Sequence, residues 1–253
     1  MAAAAIVPPP DPQQPAPLSE GQRLLDTFIA PSKTFTDLRR SAAWWAPFLI
    51  SVVISVLFVG VVDQKIGFRK VWENQIHSQP KQAERIESMP ADQREPMIQK
   101  QVVFTKWVSY AFFVIIFIWN AIVTAVLFAT LKFALAAEVK FKTIFALVMY
   151  SSLPAVLKAA LGALSVFAGA SSDSFTFQNP LATNPGYFID PVTSPALYRF
   201  LTSFDVFTIW TLVLAAIGIT CISKVKSGAA LAVVFGWFAV LVVIGAGASA
   251  LFS

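Results

Sequence analysis

Two charges fall in stretches of the chain that are otherwise built for apolar surroundings. Lys158 lies within YSSLPAVLKAALGAL (150–164), and Asp205 stands near the head of FDVFTIWTLVLAAIGITCISKVKS (204–227). A charge inside a bilayer is costly, so each is a candidate for a functional role. Lys158 follows Pro154 by four residues. A proline within a helix frees a carbonyl one turn back, and Ser151 and Ser152 can re-satisfy the backbone there. Pro154, Ser151 and Lys158, with Asn120 from another apolar run, could therefore line a small polar cavity or path. The plainer reading carries the Lys158 amine to an interface on its four-carbon stem. That reading is preferred here to a buried ion pair and to a role in transport. Asp205 is preceded by polar and turn-forming residues, and only from Val206 is the chain continuously apolar. A carboxylate there suits the exposed donors of a helix N-terminus, so it reads as a helix-start acid rather than a partner of Lys158. Trp210 would mark an aromatic belt or pack between helices.

Other chemistry finds little to work with. His77 is the sole histidine and Cys221 the sole cysteine, which excludes an internal disulfide. HExxH, a glycine-rich phosphate loop, GxSxG and CxxC are all missing from the sequence. No acid pair, Ser–Lys or histidine-based arrangement can be assembled from uncharged spans. The expectation is a protein without catalytic residues, cofactor or metal.

The elements that must position these residues are membrane helices. Of 253 residues, 57% are hydrophobic and 13% are charged, about half the charged share of a soluble domain. Apolar runs place five spans at 44–62, 102–131, 143–170, 204–222 and 228–252. Residues 1–20 are a proline-rich tail expected to be disordered. Residues 21–43 carry Leu25, Phe28, Ile29, Phe35 and Leu38 among charges, which predicts short cytoplasmic helices lying on the bilayer and divided at Pro31. Within the spanning domain of 44–252, a charged helical insert occupies 63–101. In it Ile66, Val71, Trp72 and Ile76 recur at helical spacing over 64–78, and a new helix starts near Asp92 with Pro96 in its first turn or so.

The net charge of +5 calls for no nucleic acid, because basic flanks orient membrane helices. Arg23, Lys33, Arg39 and Arg40 precede the first span, Lys132, Lys140 and Lys142 follow the second, and Lys224 and Lys226 follow the fourth. This predicts a cytoplasmic amino terminus and a carboxy terminus across the membrane, with the basic residues of the insert dissenting. Gly162, Gly169, Gly228, Gly236, Gly245 and Gly247 allow close helix approach, within the bundle or in self-association. The bilayer and other membrane proteins are the partners implied, and no specific small molecule is.

The second half resembles the Yip1 family of membrane proteins, through 141–164 and 204–240. The resemblance rests on Tyr150 and Pro154 in the third span and on Asp205, Phe207, Trp210, Gly218 and Lys224 in and after the fourth. It implies an all-α, polytopic five-span bundle over about 20–252. Eukaryotic relatives are linked to vesicle traffic and prenylated small GTPases, but the short proline-rich tail and the insert depart from them. The alanine-rich chain points to a bacterial cytoplasmic (inner) membrane, with the carboxy terminus periplasmic. The function implied is a non-catalytic membrane-organising or protein-interaction module. The rival is a small permease or channel using the interrupted third helix around Pro154 and Lys158; no second half repeats the first to favour it.

Overall fold

The computed structural model describes residues 16–252, so most of the tail read as disordered lies outside the described residues. Helix α1 (Glu20–Ile29) begins with a capping box. The Ser19 hydroxyl accepts from the Gln22 backbone N–H, while the Gln22 side chain accepts from the Ser19 N–H, satisfying two donors that a helix start leaves open. Pro31 opens α2 (Pro31–Asp37), at a position where proline is tolerated.

Among the described residues the remaining regular elements are also helices, with a long irregular connection at 168–194. Helix α3 (Trp45–Lys65) is followed by α4 (Phe68–His77), α5 (Pro80–Glu87) and α6 (Ala91–Tyr110). Next come α7 (Phe112–Ala129), with a π-helical turn at Thr130–Ala134, then α8 (Phe141–Ser151) and α9 (Leu153–Phe167). The last are α10 (Pro195–Thr202), α11 (Val206–Ile222) and α12 (Ser227–Phe252). Four helical stretches are long and apolar enough to cross a bilayer: Trp45–Lys65, Phe112–Ala134, Phe141–Phe167 and Ser227–Ser249. The 17 residues of α11 reach only about 25 Å, short of a hydrocarbon core of about 30 Å. A fifth span therefore needs α10, which meets α11 at a bend of 46°. The molecule is a polytopic helical membrane protein with four to five spans.

Three expectations shift in detail. The second span starts at Phe112 rather than 102, because α6 ends at Tyr110 and belongs to the insert. Lys106 and Tyr110 of α6 hold Asp63, near the end of α3, at 2.8 and 3.2 Å. Helix α6 starts at Ala91, which puts Pro96 in its interior rather than in its first turn. In the insert, α4 begins at Phe68, since Gly67 adopts a φ of +82° that ends α3 sharply. Val71 and Trp72 are buried as expected, joined by Phe68 and Asn74, whereas Ile66 and Ile76 are half-buried.

Lipid tails are as apolar as leucine, so this bundle is held by close contact and polar bonds rather than by escape from water. Its main core draws Phe35 and Leu38 from the α2 region, Leu131, then Ile144 and Leu147 from α8, and Leu214 and Ile219 from α11. Gly218 lets three elements meet, for a Cβ there would stand 2.8 Å from the Leu147 side chain and 3.2 Å from that of Phe35. Gly162 of α9 admits the ring of Phe58 from α3 in the same way. A second cluster joins Phe58, Val62, Val71, Val166 and Phe175, so the insert is packed onto the bundle. The outward faces of α3 and α7 expose Leu49, Val53, Leu57, Ile115, Ile118 and Ile122 to lipid.

Candidate functional site

The polar residues singled out from sequence separate into three places along the bundle. The end that carries α1 and α2 is called the near end here, and the opposite one the far end.

At the far end, the third span and the start of α11 are tied by an ion pair. The Lys158 Nζ lies 2.8 Å from Asp205 Oδ2. Asp205 is only 2% exposed. Its other oxygen, Oδ1, accepts the Phe207 backbone N–H at 2.9 Å, so Asp205 is the N-cap of α11 as its sequence position predicts. Oδ2 also accepts from the Thr183 hydroxyl and, at 3.3 Å, from the Asn184 amide. Asn184 donates in turn to Asn179 Oδ1 at 2.7 Å. The backbone joins in, with the Val206 N–H donating to the Thr183 carbonyl at 3.1 Å. One carboxylate thus gathers a span, a helix start and the 168–194 connection. The Lys158 side chain, 20% exposed, is thus directed to the acid rather than extended away from it.

The third span is interrupted less than its sequence suggests. Only Ser152 separates α8 from α9, and Pro154 occupies the second position of α9, inside the first turn, where its missing donor is harmless. Within the candidate span Phe112–Ala134, Asn120 accepts from the Ser152 hydroxyl at 3.3 Å and its amide lies 3.7 Å from Met149 Sδ. Asn120 thereby links α7 to the third span. Ser151 is 1% exposed, and its hydroxyl has no partner among the described residues.

Tyr150 and Trp210 turn instead to the near end, and there they meet residues that the sequence reading passed over. The Tyr150 hydroxyl donates to Glu20 Oε2 at 2.7 Å. Glu20 accepts from Arg23 at 3.0 Å, and Arg23 reaches Asp37 with Nη2 at 2.7 Å and Nε at 2.8 Å. Thr27 and Thr34 both donate to the Arg23 carbonyl. Arg23, Thr27, Thr34 and Asp37 are all buried. Burial opposes the charge on Arg23, but the hydrogen bond to Asp37 and the charges of Glu20 and Asp37 outweigh it and raise its pKa. Trp210 packs edge-on against Phe28 of α1, with centroids 5.4 Å apart. Helix α1 therefore turns a polar stripe inward and leaves Leu25 and Ile29 exposed. The signal that could have found this network is the SEGQ capping box with Arg23 one turn after Glu20, which fixes a helix whose inner stripe is ionic.

A model of the Yip1 domain matches residues 25–248, nearly the whole chain. The chain belongs to the Yip1 family. No curated protein and no solved structure matches it significantly. Within this Yip1-domain protein, the seven residues Asn120, Tyr150, Ser151, Pro154, Lys158, Asp205 and Trp210 do not converge on one site. Lys158 and Asp205 meet at the far end, Asn120 and Ser152 bond within the spans, and Tyr150 and Trp210 clasp the N-terminal helices.

Proposed function

We propose that this Yip1-family protein is a non-catalytic module that organises the membrane or a protein complex within it. In this reading its intramembrane polar residues are fasteners. The observation that carries the proposal is the Lys158–Asp205 pair, whose carboxylate is enclosed by Thr183, Asn184 and the Phe207 N–H. A permease would need Asn120, Ser151 and Lys158 to face water. Asn120 is instead engaged with Met149 and Ser152, and Lys158 with Asp205.

The proposed setting is a bacterial inner membrane, with the near end and the amino terminus in the cytoplasm and the carboxy terminus periplasmic. Five lysines against Glu138 in the 132–142 and 223–227 connections support this. The dissenting insert is partly neutralised, since Arg69 pairs with Glu73 and Glu95, and Lys70 with Asp173. Partners would be other membrane proteins or a second copy. Gly236 and Gly247 of α12 have open space where a Cβ would stand, which leaves room for another helix.

The test is water access. Asn120→Cys, Ser151→Cys and the exposed control Gln178→Cys, each in a Cys221→Ser background, are treated with a membrane-impermeant thiol reagent from either side. Labelling of the control alone is expected. Labelling of positions 120 and 151 at the control's rate would instead favour the permease.

A further inference from the structure

At the far end, away from the Lys158–Asp205 pair, α4, the 176–178 strip, α10 and α12 enclose a cavity of about 410 Å³. Gln75, Gln178, Tyr198 and Thr202 bring amides and hydroxyls to it beside the apolar Pro191 and Pro195, and Arg199 is the one charge among the described residues that line it. No ion pair to Arg199 forms among the described residues, while the other basic groups of this face, Arg69 and Lys70, hold carboxylates. A cation with polar neighbours and no acid is chemistry for an anion.

The placement of this cavity narrows the class of anion. Helix α10 packs on α12; with α10 and α11 taken together as the fifth span, Arg199 falls about one core thickness from the other end of α11, where hydrocarbon gives way to headgroups. The α12 surface has been thinned beside it: a Cβ on Gly245 would stand 3.4 Å from Arg199 Nε. Either side of the mouth, Leu197 of α10 and Val243 and Ile244 of α12 are exposed and apolar. A soluble anion would have no use for that flank, whereas acyl chains would lie along it.

We propose that this cavity binds the phosphodiester headgroup of an anionic phospholipid, with Arg199 on the phosphate. The amides and hydroxyls of Gln75, Gln178 and Thr202 receive the polar headgroup, and the chains follow Leu197 and Ile244. Bound there, the lipid would bridge α4, α10 and α12 and couple the insert to lipid composition.

The experiment uses the full chain, purified and delipidated in detergent, titrated with short-chain phosphatidylglycerol, matched phosphatidylcholine and inorganic phosphate, and read by native mass spectrometry and thermal shift. Phosphatidylglycerol should bind roughly 10-fold tighter than phosphatidylcholine, and Arg199→Gln should remove that preference, a tenfold change being about 1.4 kcal/mol. Gln178→Leu, at an exposed side chain with no hydrogen bond among the described residues, should weaken phosphatidylglycerol binding by about 3-fold, within the range of one hydrogen bond. Arg85→Gln, an exposed cation elsewhere on the insert, should leave it unchanged. Equal affinity for the two lipids in the wild type, or an Arg199→Gln variant that keeps the preference, would overturn the proposal. Displacement of the lipid by inorganic phosphate at comparable concentration would overturn it too, in favour of a soluble phosphate.

Discussion

The two ends of the bundle each bury a carboxylate against a cation, but by different means. At the far end Asp205 collects Lys158, Thr183, Asn184 and a backbone N–H onto a single group that also starts α11. At the near end the charges form a chain, Tyr150 to Glu20 to Arg23 to Asp37, that pins two short helices to the outside of the spans. The far knot joins parts of the membrane domain to one another. The near chain joins the membrane domain to a segment that could otherwise leave it. The contrast teaches that a polar group in a span can act as local geometry while its counterpart at an end acts as a latch. Buried pairs add little net stability but are expensive to break by halves.

The largest effect is expected from breaking the latch. Arg23→Met leaves Asp37, 6% exposed, without its main partner and should destabilise the docked helices by about 3–5 kcal/mol. Limited proteolysis between α2 and α3 should then outpace the wild type. Cleavage at the wild-type rate would reduce the near end to surface pairing. Next comes Gly218→Val, whose added atoms meet Leu147 and Phe35; overpacking should cost about 1–3 kcal/mol in thermal stability. Tyr150→Phe removes one bond to a charged acceptor and should cost about 1.5–3 kcal/mol if Glu20 is left unsatisfied, or less where Arg23 retains it. An unchanged melting temperature would show that Tyr150 is not part of the latch.

How much of this could be read beforehand differs between the ends for a physical reason. Lys158 stands out because it interrupts an apolar run and Asp205 because it opens one, and membrane depth makes such residues conspicuous. Their pairing could not be preferred from sequence, since they lie 47 residues apart, across the loop that supplies Thr183 and Asn184. Glu20, Arg23 and Asp37 sit among other charges, where one more ion carries no signal. Leu25 and Ile29, both exposed, made α1 read as a helix lying on the bilayer rather than one that buries an ionic stripe against the spans. The spans were legible from length and hydropathy, but the extension of the fourth by α10 was not. Pro195 and the polar residues before Asp205 read as loop, although α10 packs on α12.

The smallest effect concerns the insert. Hydrogen bonding to Arg69 holds the Glu95 carboxyl below its ordinary range, and Lys70 does the same to Asp173. Groups lowered on folding contribute above the ordinary carboxylate pKa of about 4 and lose that contribution as pH falls through their folded values. Hydrogen exchange across 68–100 should therefore be unchanged between pH 8 and 5, once corrected for intrinsic rates, and rise slightly below about pH 4. Both pairs are solvent-exposed and screened, so the increase should shrink further at high salt. A rise already at pH 6 would point away from these carboxylates.

The most direct test is a double-mutant cycle between Lys158 and Asp205, read as thermal stability and membrane abundance of Lys158→Met, Asp205→Asn and both together. If the pair is a buried fastener, each single change leaves an unpaired group and costs about 2–4 kcal/mol, with Lys158→Met the worse because Asp205 is the more deeply buried partner. The double variant should then recover at least half of the summed loss. Two mild, additive single effects would contradict the account, for they would mean that Lys158 takes its charge to water and Asp205 merely starts a helix.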